Sequence, residues 1–99
     1  MKTVAMTGAT SGIGLETARL LAQRGFRVIG VGRSQESCAR AKADILCSAP
    51  GAAVSFFAAD LLKRREVVRL GALLSRDIAE NGEGGLWALI NNAGCARSW

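Results

Sequence analysis

The chain has 99 residues, 49% of them hydrophobic and 21% charged, with one proline and a formal net charge of +5. This composition argues against an intrinsically disordered segment, and no apolar run approaches the ~20 residues needed to cross a bilayer. One small globular domain spanning 1–99 is expected, without a signal-peptide core because Thr7-Gly8 breaks the first apolar run, and therefore cytoplasmic.

The first short apolar run, Thr3–Thr7, reads as a strand buried on both faces. After a glycine-rich turn, Ile13, Thr17, Leu20 and Leu21 recur at helical spacing, and Gly25 is placed to end that helix. A second strand is expected over 26–31. Ser34 then serves as N-cap of a helix whose apolar stripe is Cys38, Ala41, Ile45 and Leu46 and which ends before Pro50-Gly51. A third strand covers Val54–Ala58, and a third helix carries Val67, Leu70, Leu74 and Ile78 before running out at Asn81-Gly82. The last run, 86–90, is a fourth strand.

The resulting βαβαβαβ order, with right-handed crossovers, predicts a doubly wound, parallel α/β sheet covered by helices on both faces. In strand order 3-2-1-4 the run Leu86-Trp87-Ala88-Leu89-Ile90 becomes an exposed apolar edge. Such an edge calls for a missing fifth strand, a partner, or self-association, and a truncated sheet is the reading adopted.

Several absences narrow the chemistry. The sequence has no His and no Tyr, the aromatic side chains most used for proton transfer near neutral pH. Cys38, Cys47 and Cys95 form an odd set without metal-ligand spacing, and Cys38 and Cys47 fall on opposite faces of one helix, so reduced thiols and no metal are expected. Lys63-Arg64-Arg65 with Arg69 is read as a solvated helix face rather than a nucleic-acid patch.

Thr7-Gly8-Ala9-Thr10-Ser11-Gly12-Ile13-Gly14 lies between the first strand and first helix, where a tight turn brings backbone amides against a phosphate. Its G-x-x-x-G-x-G spacing has no lysine after Gly14, so it is not a P-loop. A dinucleotide turn and a purely structural turn both remain open on these residues alone.

At the end of the second strand, a free ribose 2′-hydroxyl would call for an acidic residue, yet none occurs between Glu16 and Glu36. Gly30-Val31-Gly32-Arg33-Ser34 instead offers a guanidinium and a hydroxyl, which suit the 2′-phosphate of NADP(H) over NAD(H). Asp60 and Leu61, after the third strand, read as an adenine contact or as an ordinary turn. Asn91-Asn92-Ala93-Gly94 follows the fourth strand, so it should meet the glycine turn where the strand order reverses.

Together T-G-A-T-S-G-I-G, A-D-L at Ala59-Asp60-Leu61 and N-N-A-G resemble the N-terminal half of a short-chain dehydrogenase/reductase of the non-extended branch, over essentially the whole chain. The resemblance implies a Rossmann-like fold and an NADP(H)-dependent oxidoreductase acting on a carbonyl or alcohol substrate in its full-length form. It also implies roles. Gly8, Thr10, Ser11, Gly12, Ile13 and Gly14 would cradle the pyrophosphate, Arg33 and Ser34 the 2′-phosphate, Asp60 and Leu61 the adenine, and Asn91 a ribose. Ala93 and Gly94 would floor the nicotinamide side, with Asn92 structural. The family's catalytic Ser and Tyr-x-x-x-Lys have no counterpart in these 99 residues, so no catalytic residue is assigned and the chain alone is expected to be inactive. The alternative is a naturally short, non-catalytic dinucleotide-binding or interaction module that docks through its last strand.

Overall fold

A computed structural model describes residues 2–81 and 85–91 of the chain. Its elements are β1 (Thr3–Thr7), α1 (Gly12–Gln23), β2 (Arg27–Gly32), α2 (Gln35–Ser48), β3 (Val54–Ala58), α3 (Arg64–Asn81) and β4 (Leu86–Asn91). The strands form one sheet in the order β3-β2-β1-β4, every neighbouring pair parallel. This is the expected Rossmann-like arrangement, and β4 takes the expected place at its edge.

The two faces of the sheet are filled differently. Val28 on β2 packs with Met6 and Val54 beneath Ala18 and Ala22 of α1 and Ile45 of α2. Val31, three residues further along β2 and so on the opposite face, packs with Ala59 and with Leu70 and Leu74 of α3. The central strands β1 and β2 are almost wholly buried, whereas β3 and β4 are half-covered, because each edge strand has a neighbour on one side only.

The structure corrects the expected face of α1 in part: Leu21 packs against the first core cluster as expected, but two other positions do not. Ile13 and Leu20 are 80% and 56% exposed, and the buried positions are Gly14, Ala18 and Ala22. This i, i+4, i+8 row of small side chains lets the helix lie close to the sheet, which a Leu/Ile stripe would prevent. On α3 likewise, Leu70 is buried and Leu74 joins the second cluster, but Val67 stands 45% exposed. The α2 stripe matches expectation: Cys38, Ala41 and Ile45 are buried, with Cys47 exposed on the other face.

The β2 boundaries shift by one residue. Phe26 still belongs to the helix exit, its amide donating to the Leu21 carbonyl at 3.1 Å, while Gly32 stays in the ladder by accepting from the Ala59 amide at 2.9 Å. Arg27 can begin a buried strand because its guanidinium pairs with Asp77 on α3. The fourth strand runs one residue further than expected, to Asn91, which pairs with Thr7. Ser34 caps α2 as predicted, accepting from the Ser37 amide at 3.1 Å.

Candidate functional site

The C-terminal ends of all four strands open onto one cleft of about 630 Å³. Gly8, Thr10 and Ser11 line it from the turn after β1; Val31, Gly32 and Arg33 from β2; Asp60, Leu61 and Leu62 from beyond β3; and Asn91 from the end of β4. Where β1 meets β4, the Thr7 hydroxyl donates to Asn91 Oδ1 at 3.0 Å, which joins the two loops at the reversal of strand order. A second hollow, about 420 Å³, lies beside Phe56, Phe57 and Leu73 along the outer edge of β3. It sits away from the switch point where doubly wound sheets place their ligands, so the larger cleft is the candidate site.

The turn after β1 is built by backbone constraints. Gly8 and Gly12 have φ of +65° and +57°, left-handed values that cost a residue with a Cβ roughly 1–2 kcal/mol. The Gly8 amide donates to the Val31 carbonyl at 3.1 Å, tying the turn to β2. Ser11 stands at the N-cap of α1 in extended backbone without a side-chain capping bond, so its hydroxyl is not spent on the first helical amides. Gly14 follows, buried in the first turn of α1.

Gly32 provides a close approach of a different kind. A Cβ there would fall 2.3 Å from Thr10 Cγ2 and 2.8 Å from Cys38 Sγ, so the missing side chain is the space in which Thr10 sits. Cys38 is held inside by this packing and donates weakly to the Phe57 carbonyl at 3.4 Å; burial pushes its thiol pKa up, which keeps it protonated.

The far wall is a hydrogen-bonded loop. Asp60 Oδ1 accepts from the Leu62 amide at 3.1 Å, and the Asp60 carbonyl accepts from Lys63 N at 3.1 Å. The Glu66 carboxylate accepts from the Asp60 amide at 3.5 Å and is gripped by Arg69 through Nε and Nη2, both at 3.2 Å. That Arg69 contact, followed by the Asp60 amide, holds the Glu66 carboxyl below the usual carboxylate range. Arg69 is therefore not the simply solvated arginine of the expected basic face.

Of the residues singled out from sequence, Gly8, Thr10, Ser11, Arg33, Asp60, Leu61 and Asn91 come together on the cleft. Gly12 and Gly14 form the helix start behind it, and Ile13 points away, exposed. Ser34 stands back from the lining: its hydroxyl is taken up by the α2 cap and donates to Ser37 Oγ at 2.9 Å. Asn92, Ala93 and Gly94 lie outside the described residues. Sequence reasoning missed Val31, Gly32, Ala59 and Leu62 as lining residues, although the strand ends flanking Arg33 and Asp60 were the signal for them. Among the described residues no group of three His, Cys, Asp or Glu could hold a metal, and no helix is long and apolar enough to cross a membrane.

A parallel sheet in this order, with a glycine turn leading into a helix at its switch point, defines the class of doubly wound nucleotide-site proteins. The chain belongs to the short chain dehydrogenase family, whose model matches residues 2–99. It is 37% identical over 93 residues to a D-beta-hydroxybutyrate dehydrogenase of Cupriavidus necator, covering 94% of this chain and 33% of that protein. It is also 37% identical over 98 residues to the short chain dehydrogenase helC of Aspergillus fumigatus, covering 99% and 36% respectively. Among solved structures, a citronellol catabolism dehydrogenase of Pseudomonas aeruginosa has a TM-score of 0.76 at 35% identity, covering 94% of this chain and 36% of that one. An actinorhodin polyketide ketoreductase with NADPH has a TM-score of 0.76 at 32% identity, covering 94% and 33%. The chain thus spans about a third of the length of the curated relatives it matches.

Proposed function

We propose that these residues are the NADP(H)-binding part of an oxidoreductase that moves hydride between the nicotinamide and a carbonyl or alcohol carbon. The observation that carries this reading is the convergence, on one cleft, of a left-handed glycine turn, the start of α1 and the Arg33 guanidinium. The residues fit such a group: the turn leaves backbone amides and the Ser11 hydroxyl available for a pyrophosphate, and the rim beside Gly32 carries a cation where an acidic residue would repel a 2′-phosphate.

In this reading Thr10, Ser11, Gly12 and Gly14 hold the pyrophosphate by backbone donors and lack of bulk, and Gly8, its amide bonded to Val31, shapes the turn around it. Arg33 binds the 2′-phosphate, Asp60 and Leu61 border the adenine, and Asn91 orients a ribose. Ile13, exposed on the outer side of the helix start, contributes its backbone only, and Ser34 supports Arg33 by fixing the start of α2. The nicotinamide supplies the hydride when bound, and the protein's task is to orient it and deliver a proton to the carbonyl oxygen. With no His and no Tyr, these 99 residues carry the orienting part alone. The proton donor and the substrate pocket are proposed to belong to a catalytic half, and the setting to be cytoplasmic.

Calorimetric titration of the 99-residue chain with NADP⁺ and NAD⁺ tests the assignment. Tighter binding of NADP⁺ by about tenfold or more is expected from one charge-assisted phosphate contact, and equal affinities would refute the preference. A second reading rests on β4, where Leu86 and Leu89 are 42% and 64% exposed: a short interaction module that pairs or self-associates along this edge. A monodisperse monomer in sedimentation would remove it.

A further inference from the structure

Arg69 and Glu66 lie on the first turns of α3, outside the lining of the cleft, yet their side-chain bonds converge on the β3–α3 loop. Arg69 Nη2 donates to the Ala58 carbonyl at 2.7 Å and, with Nε, forks onto Glu66. Ala58 is the last residue of β3, an outer strand of the sheet, so its carbonyl has no further strand to pair with on that side. Glu66 passes the contact on to the Asp60 amide. Two side chains one helical turn apart thus fix the loop at its entry and one residue before Leu61, while Asp60 Oδ1 closes the far side through Leu62 N.

An isolated surface ion pair contributes little, but this one is a fork with a third bond to a backbone carbonyl, in which each member is oriented by another. We propose that Arg69 and Glu66 are positioning residues for the cleft: they hold Asp60 and Leu61 in the shape that receives the adenine end of the dinucleotide. The inference rests on the nucleotide reading above and extends it to residues that touch no ligand.

The contacted loop borders the moiety shared by every adenine nucleotide, so the signature differs from that of Arg33. Arg69→Met should weaken ADP, NAD⁺ and NADP⁺ by a common factor of about fivefold to tenfold, measured well below the unfolding midpoint of the variant. Arg69→Lys, which can reach one partner but cannot fork, should recover part of that loss. Glu66→Gln combined with Arg69→Met should add little to Arg69→Met alone, because both act through one contact. A merely structural role would lower the unfolding midpoint and leave the three affinities of the folded variant unchanged, and that result overturns the proposal. In parallel, the Asp60, Leu61 and Leu62 amide resonances of the unliganded Arg69→Lys and Arg69→Met proteins should move progressively from their wild-type positions; unmoved resonances also overturn it. Wild-type protein that binds none of the three nucleotides while those resonances do move would overturn the nucleotide reading, and with it the positioning role, but leave the loop contact standing.

Discussion

Replacing Asp77 with Ala should bring this domain close to the limit of its stability. Arg27 begins β2 at 7% exposure, its side chain is paired with an Asp77 side chain only 16% exposed, and its Nη1 is a buried atom without a partner among the described residues. Removing the carboxylate leaves a guanidinium desolvated beneath α3, and breaking a buried pair in this way costs about 3–5 kcal/mol. A chain of this size has about 5–15 kcal/mol in total. With a urea m-value of about 2 kcal/mol/M, the midpoint should fall by about 2 M in denaturation followed by circular dichroism. The double variant Arg27→Met with Asp77→Leu should return to within about 1–2 kcal/mol of wild type, since a well-packed apolar pair replaces a buried ionic one at little cost. A loss below about 1 kcal/mol for Asp77→Ala would refute the argument, because it would mean that water reaches Arg27 and that the pair behaves as a surface one.

Arg33→Ala should weaken NADP⁺ by about tenfold and leave NAD⁺ within about twofold in calorimetry; equal losses would remove Arg33 from the 2′-phosphate. Gly12→Val should abolish binding of both, because φ at this position is +57° and a β-branched residue forces the turn to rearrange; retained affinity would mean that the turn is structural only. Glu66 is held below the usual carboxylate range by Arg69, so the loop contact is fully present at neutral pH and is lost as pH falls through that lowered value. The Asp60 amide shift should report this in an NMR titration, and a midpoint at or above about 4.3, the ordinary glutamate value, would refute it.

The parts of the fold legible in the sequence were those fixed by local signals. Val54–Ala58 and Thr3–Thr7 are short apolar runs between turn residues, and Ser34 lies immediately before a helical period. The start of β2 was placed one residue early, because Phe26 continues the apolar run although its amide still belongs to the exit of α1, and the counter-ion that lets Arg27 be buried lies 50 positions later on α3. Leu21 on α1 was placed correctly, but Ile13 and Leu20 were misread because a hydrophobicity period favours them, whereas the close approach of helix to sheet favours Gly14, Ala18 and Ala22. At the site, residues with distinctive chemistry were found and those with none were not. Gly32 and Val31 carry no functional group, and only their place at the end of β2 puts them on the cleft. Arg69 was read with Lys63-Arg64-Arg65 as a solvated face, because its reach to Glu66, Ala58 and, through Glu66, the Asp60 amide depends on how the chain leaves β3.

The small-residue face of α1 and the glycine turn before it are one arrangement. Gly14 is the residue they share: it is the first buried position of the helix and the last glycine of the turn. A side chain there would have to be accommodated between α1 and the sheet, and lifting the helix would draw its first amides away from the strand ends where Gly8 and Ser11 line the cleft. Ala18 and Ala22 continue the close approach for two more turns, so the position of those amides is fixed by packing far from the cleft as well as by the turn itself. The neighbour of Gly14 illustrates the division of labour, since Ile13 can remain 80% exposed without affecting either the approach or the turn. A larger residue at Ala18 should therefore weaken nucleotide binding as well as stability, although it lies about two turns beyond Ser11, the nearest cleft residue along the chain.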